Sequence, residues 1–203
     1  NVQNAEATET GLTGFIMATG GTITTCGNDT IHTFTGPGTF CVQNIADVAA
    51  NNQVSYMVVA GGGAGGGSHG GGGGGGGFRE DSSPTAPYTA SPLVGAGDIS
   101  VTSTAFPITV GAGGTGGSNP SSQGGDSVFS TITSNGGGVG GSYGISMQPY
   151  TAGGSGGGGG GGPACQAGAS GNTPPTNPSQ GNSGGAGVAG SRLVGGGGGG
   201  ASA

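Results

Sequence analysis

Apolar and polar residues alternate along this chain only in short stretches, and between those stretches lie runs with almost no side chains at all. "GTITTCG" (21–27), "TIHTFT" (30–35), "GTFCVQNI" (38–45) and "VSYMVVA" (54–60) are rich in Thr, Val, Ile and aromatic residues with partial alternation, which predicts β-strands. "DISVTSTAFPITVG" (98–111), "SVFSTITSN" (127–135) and, weakly, "SRLV" (191–194) read the same way. The turn Gly36-Pro37-Gly38 predicts a hairpin between the second and third stretches. Only "NIADVAANN" (44–52) suggests a helical turn. The fold class is therefore all-β.

Five glycine-rich runs, 61–77, 111–117, 136–141, 153–162 and 181–200, each tend to follow a strand-like stretch. With 58 glycines among 203 residues and 30% hydrophobic content, a conventional core is thin. Two readings of the runs compete. As tethers, they are flexible coil whose purpose is reach. As structure, each ordered glycine costs about 0.5–1 kcal/mol relative to alanine, so a compensating interaction is needed. Parallel extended helices with three residues per turn supply one, because their N–H and C=O groups point outward and bare backbones approach closely enough to bond one another. In that arrangement glycine fills the lattice interior, and Pro, Ser, Asn and Ala belong at its surface and turns. A tether needs one run rather than five, and inserts such as "SNPSSQ" (118–123) and "GNTPPTNPSQGN" (171–182) would reverse direction between rods. These features favour order.

Charge narrows the function classes. The chain has no Lys, its basic residues are Arg79 and Arg192, and its formal charge is −6. Phosphate binding needs clustered cations, so nucleic acid is not an expected partner. No segment approaches 18 apolar residues, so membrane insertion is not expected either. The chain opens at Asn1 without Met or a signal peptide, which suggests a processed or partial chain. Enzymatic signals are weak. A GxxxxGK loop requires the missing lysine, and GxGxxG matches arise by chance in such a sequence. Cys41 and His32 could form a nucleophile pair but sit in strand-like surroundings that favour a structural role, and His69 reads as a solvated edge residue. The carboxylates of Asp29, Asp47, Glu80, Asp81, Asp98 and Asp126 lack the spacing of a calcium loop. Neither a catalytic site nor a metal or cofactor is expected. Arg79 either caps the long run through its last carbonyls or forms an exposed ion pair. "NDT" places a glycosylation sequon at Asn28.

The ordered series "TITTCGNDTIHTFTGPGTFCV", "VSYMVVAGGGAGGG", "GGGGFRED", "YTASPL", "FPITVGAGGTGG", "SVFSTITSNGGGVGG", "SGGGGGGG", "GNTPPTNPSQGNSGGAG" and "GGGGGGASA" resembles the glycine-rich domain of tail-fibre and other virion-surface proteins of tailed bacteriophages, found also in bacterial surface proteins. The resemblance implies a jelly-roll-like β-sandwich combined with a layer of packed polyglycine II helices. A more distant similarity, to phage adhesins with a polyglycine-helix sandwich, implies receptor binding through loops at the lattice tip. Cys26 and Cys41 stand where that family leads one to expect ordinary residues.

If the first three strands form a meander, Cys26 and Cys41 are neighbours and a disulfide is feasible, closing a loop of about 15 residues worth roughly 3 kcal/mol. Two buried free thiols are the alternative, and a bridge would place the protein outside the reducing cytosol. Cys165 is left as a free thiol or an intermolecular link. Residues 1–20 read as an arm preceding one domain, 21–203, that is strand-rich to residue 60 and glycine-rich beyond. Leu12, Phe15, Ile16 and Met17 could add as a strand to the next subunit. Two functions follow. One is a non-enzymatic subunit of an extracellular fibre or filament, on a virion or a bacterial surface, whose partners are copies of itself. The other is an adhesin that recognises a host-cell receptor or glycan through 81–92, 118–123, 144–150 and 171–182, with Tyr88, Tyr143 and Tyr150 as contacts.

Overall fold

The structure is a computed structural model, and it describes residues 14–82, 89–116, 121–143, 151–190 and 193–201. It is all-β, built from several antiparallel sheets, none closed into a barrel. The largest has five strands in the order β1 (Met17–Thr19), β4 (Gly38–Asn44), β9 (Ala105–Thr109), β10 (Ser127–Phe129), β11 (Ile132–Ser134). Three two-stranded pairs accompany it: β2 (Thr22–Cys26) with β3 (Asp29–Thr33), β5 (Gln53–Val54) with β8 (Ile99–Ser100), and β6 (Tyr56–Val59) with β7 (Phe78–Asp81). Among the described residues the helical content is one 3-10 turn, Ala49–Asn52, inside the stretch where a helical turn is expected. No helix there is long and apolar enough to cross a membrane.

Strand alternation places the side-chain core. In β4, Phe40 and Val42 are buried while their neighbours point the other way, as period-two geometry requires. They cluster with Val58, Ile99, Val101, Phe129 and Ile132. Phe129 is the hub: Phe40, Tyr56 and Phe106 meet its ring edge-on at 6.0, 6.0 and 6.2 Å, the geometry aromatic quadrupoles favour.

The hairpin expected at Gly36-Pro37-Gly38 forms elsewhere. β3 pairs with β2 around the two-residue turn Gly27-Asn28, with Cys26 opposite Asp29 and Gly27 at φ 59. That positive φ suits the tight primed turns that match strand twist. β4 instead joins β1 and β9, because the intervening link packs Phe34 against the core. Two single expected strands also divide. Residues 98–111 split between β8 and β9, which serve different sheets, and 127–135 folds on itself as the β10–β11 hairpin with Ser130 at φ 53.

The glycine runs form a second core. Residues 136–142 and 153–162 are buried at every position, although they carry almost no apolar side chain.

Candidate functional site

Backbone hydrogen bonds explain that burial. Along 60–66, the amides of Ala60, Gly63 and Gly66 donate to the carbonyls of Gly77, Gly74 and Gly71 at 3.0, 2.8 and 2.9 Å. Gly61 and Ala64 donate in another direction, to Gly125 and Ser122. The next run repeats the scheme: Gly71, Gly74 and Gly77 donate to Gly141, Gly138 and Asn135, while Gly72 and Gly75 donate to Gly196 and Gly199. A β-strand addresses two neighbours with a period of two. Here the period is three, so successive residues reach different neighbours and one segment bonds to several others. The directions mix: 60–66 runs against 71–77, whereas Gly138 and Gly141 donate to Ser155 and Gly158 in parallel register.

Such bonding requires bare backbone at specific positions. A methyl group on Gly63 would overlap the Gly138 carbonyl oxygen, on Gly74 that of Ser155, and on Gly137 that of Gly74. At Gly65 and Gly75 it would meet nothing closer than 3.6 and 3.5 Å, and at Gly197 nothing within 4 Å. Gly74 and Gly137 are buried and Gly63 half-buried, whereas Gly65, Gly75 and Gly197 are exposed.

One expectation needs correction, since the buried parts of the glycine runs admit a few side chains. Ser155 is fully buried and donates its hydroxyl to the Gly76 carbonyl at 2.7 Å. Val139, Ala64 and Ala169 are also buried. The Ser155 hydroxyl bond ties its segment to the 71–77 run.

A polar node joins the 171–182 segment to the strands. Gln180 is fully buried; its Oε1 accepts the Asn135 amide at 2.8 Å, and its Nε2 donates to Asn135 Oδ1 at 3.0 Å and the Pro174 carbonyl at 2.9 Å. Its own carbonyl accepts the Phe78 amide at 2.8 Å, which ties it to β7. Sequence reasoning missed this residue, because a single Gln among Pro, Ser and Asn looks like loop solvation. The segment containing it does reverse the chain as expected: Gly184 and Gly187 donate back to Ala169 and Gln166. Cis peptide bonds precede Pro174 and Pro178.

β7 carries the charged tripeptide, and all three residues are buried. Arg79 does not cap the glycine run or form an exposed ion pair. Its guanidinium donates to the carbonyls of Pro178 and Ala96 at 3.4 and 3.2 Å, since strand pairing with β6 turns it toward the neighbouring loops. Glu80 Oε2 accepts the amide and hydroxyl of Ser91, and Asp81 Oδ2 accepts the Gly97 amide at 3.0 Å. These bonds organise 91–98. Tyr56 closes the cluster by donating its hydroxyl to the Gly97 carbonyl at 2.6 Å. Burial, and then the Asp81 carboxylate, push its pKa up to about 12, with Arg79 opposing. A folded pKa above the unfolded one makes the contribution complete below pH about 10 and lost as pH rises through about 12. The midpoint of wild-type thermal unfolding, followed by circular dichroism, is therefore expected to fall more steeply across that window than that of Tyr56→Phe.

The other sequence candidates are dispersed. Cys26 and Cys41 do not form the meander pair: Cys26 is free and exposed at the tip of the β2–β3 hairpin, while Cys41 is free in β4 between Thr19 and Ala105. The two strands do not pair with each other, so the meander that would bring these cysteines side by side does not form. Cys165 is free and exposed. Asn28 is exposed in the β2–β3 turn. His32 places Nδ1 2.8 Å from the Gly20 carbonyl and packs edge-on against Phe40 at 5.0 Å. His69 is exposed, with Tyr143 at 5.8 Å between ring centroids. Ile16 packs against the core, whereas Phe15 and Met17 are 79% and 47% exposed. Leu12, Tyr88 and Tyr150 fall outside the described residues. No group of three or more metal-ligating side chains gathers among the described residues.

No curated protein and no solved structure matches this chain. A family model described as a glycine-rich domain matches residues 33–203, from the last residue of β3 onward, and the chain belongs to that family.

Proposed function

We propose that the chain is a non-enzymatic structural subunit of an extracellular fibre or filament, phage tail-fibre-like or bacterial, that assembles head-to-tail through its N-terminal arm. The glycine segments are read as packed polyglycine II helices, and the sheets gathered around Phe129 as a jelly-roll-like β-sandwich. The observation that carries this reading is the period of three in the bonds between buried segments, which fits an extended helix of three residues per turn. A core made of backbone suits a load-bearing or protease-exposed setting, because each segment is bonded sideways to several others and proteases need a detachable strand.

Purified chain imaged by cryo-electron microscopy is expected to show filaments with an axial subunit repeat. Discrete monomers or trimers would overturn the filament and favour a receptor-binding adhesin. That second reading is favoured by the exposed Tyr143–His69 pair beside the turn at 67–70, where a receptor or glycan could stack on the rings.

A further inference from the structure

We infer that β1 is an exchangeable strand, and that β4 of one copy accepts β1 of the next; this rests on the filament reading. β1 is an edge strand, paired to β4 with Met17 opposite Asn44, Ala18 opposite Val42 and Thr19 opposite Cys41. It and the residue before it carry core: Ala18 and Ile16 pack against the buried cluster. Removing the strand would leave both the β4 edge and an apolar slot open. The occupant that fits the slot is already defined by the chain, and an identical strand from a second copy makes identical contacts.

The hinge is equally specific. Gly20 and Gly21 join β1 to β2 at φ 112 and φ 65. A methyl on Gly20 would overlap the Thr39 carbonyl oxygen, and on Gly21 it would lie 2.6 Å from that of Thr33. The self-docked path thus depends on two residues with the widest backbone freedom, which can open into an extended path without breaking either strand. Beyond the hinge, β2 and β3 form an almost wholly exposed hairpin with Ile23 and Ile31 at 48% and 44% exposure. A two-stranded hairpin is marginal alone in water, and a second copy seated at the hinge would cover it. Exchange that passes each β1 to a further copy is heterologous and does not close, which yields a filament.

The Thr19–Cys41 pairing supplies the test. In the full chain, Thr19→Cys combined with Cys26→Ser and Cys165→Ser leaves one designed cross-strand thiol pair. After mild oxidation under assembly conditions, exchange predicts a ladder of covalent multimers on a non-reducing gel that collapses on reduction. Oxidised monomer alone, with filaments still visible, overturns exchange and leaves the filament standing. Oxidised monomer without filaments overturns both. Covalent dimers without filaments support exchange and overturn the filament. Thiols that stay free overturn the β1–β4 docking on which exchange rests.

Discussion

Gly74→Ala is expected to be strongly destabilising, and Gly197→Ala nearly silent. Gly74 is buried; its amide donates to Gly138 at 2.8 Å and its carbonyl accepts the Gly63 amide at 2.8 Å. Alanine keeps both groups, so the loss is steric: its methyl overlaps the Ser155 carbonyl oxygen. The obstacle is backbone on a neighbouring segment, which cannot rotate away as a side chain does. Separating the two segments also lengthens the hydrogen bonds on either side. Overpacking a close-packed interior costs about 1–3 kcal/mol and occasionally more, and with bond loss added we expect about 3 kcal/mol or above. In a chain of this size that lowers the unfolding temperature by roughly 10 °C. At Gly197 a methyl meets nothing within 4 Å, and reduced freedom of the unfolded chain makes the change neutral or stabilising by about 0.4–1 kcal/mol. Thermal unfolding followed by circular dichroism compares the two. Equal effects would mean that the runs are not packed as described.

Gln180→Leu should be the most damaging single change outside the glycines. It removes the partner of the Asn135 amide and of the Pro174 carbonyl while leaving both in place. An orphaned buried group costs about 1–3 kcal/mol; Asn135 is half-buried and Pro174 is exposed to solvent, so two such penalties set an upper bound of about 6 kcal/mol. Gln180→Glu separates volume from bonding. One carboxylate oxygen still accepts from Asn135, but the other faces the Pro174 carbonyl with no proton to donate. The deficit should shrink on acidification, because a protonated carboxyl recovers the lost donor; burial raises the folded-state pKa, so stability is lost as pH rises through it. Chemical denaturation at two pH values measures this. A pH-independent Gln180→Glu deficit would show that the bonds donated by Nε2 to Asn135 Oδ1 and the Pro174 carbonyl contribute nothing.

The strand-rich stretches were legible because β-branched and aromatic residues at period two report the local backbone state directly. β2, β4 and β6 lie within the stretches expected for them, and β3 overlaps its own but begins one residue earlier, at Asp29. Pairing was not legible. A turn at Gly36-Pro37-Gly38 and one at Gly27-Asn28 look equally suitable, and only the route of Phe34 into the core decides that β3 turns back to β2. The disulfide expectation failed with it, since strand adjacency is a long-range property. β7 was hidden for a related reason: "FRED" has no alternation to show, because all three charged residues are buried by loops distant in sequence.

Composition and order of the chain by themselves determined that it is all-β, that its glycine is distributed among strand-like stretches, and that bare backbone must be packed if the runs are ordered. Those are consequences of local preference and of side-chain volume. The tertiary structure alone decided which glycines are indispensable, since a methyl on Gly74 overlaps its neighbour and one on Gly197 meets open space. It also decided which polar residues are buried, with Ser155 and Gln180 completing bonds to segments far along the chain. A run of identical residues carries no information about its own neighbours; position in the lattice is set by the bonds each segment makes to the others.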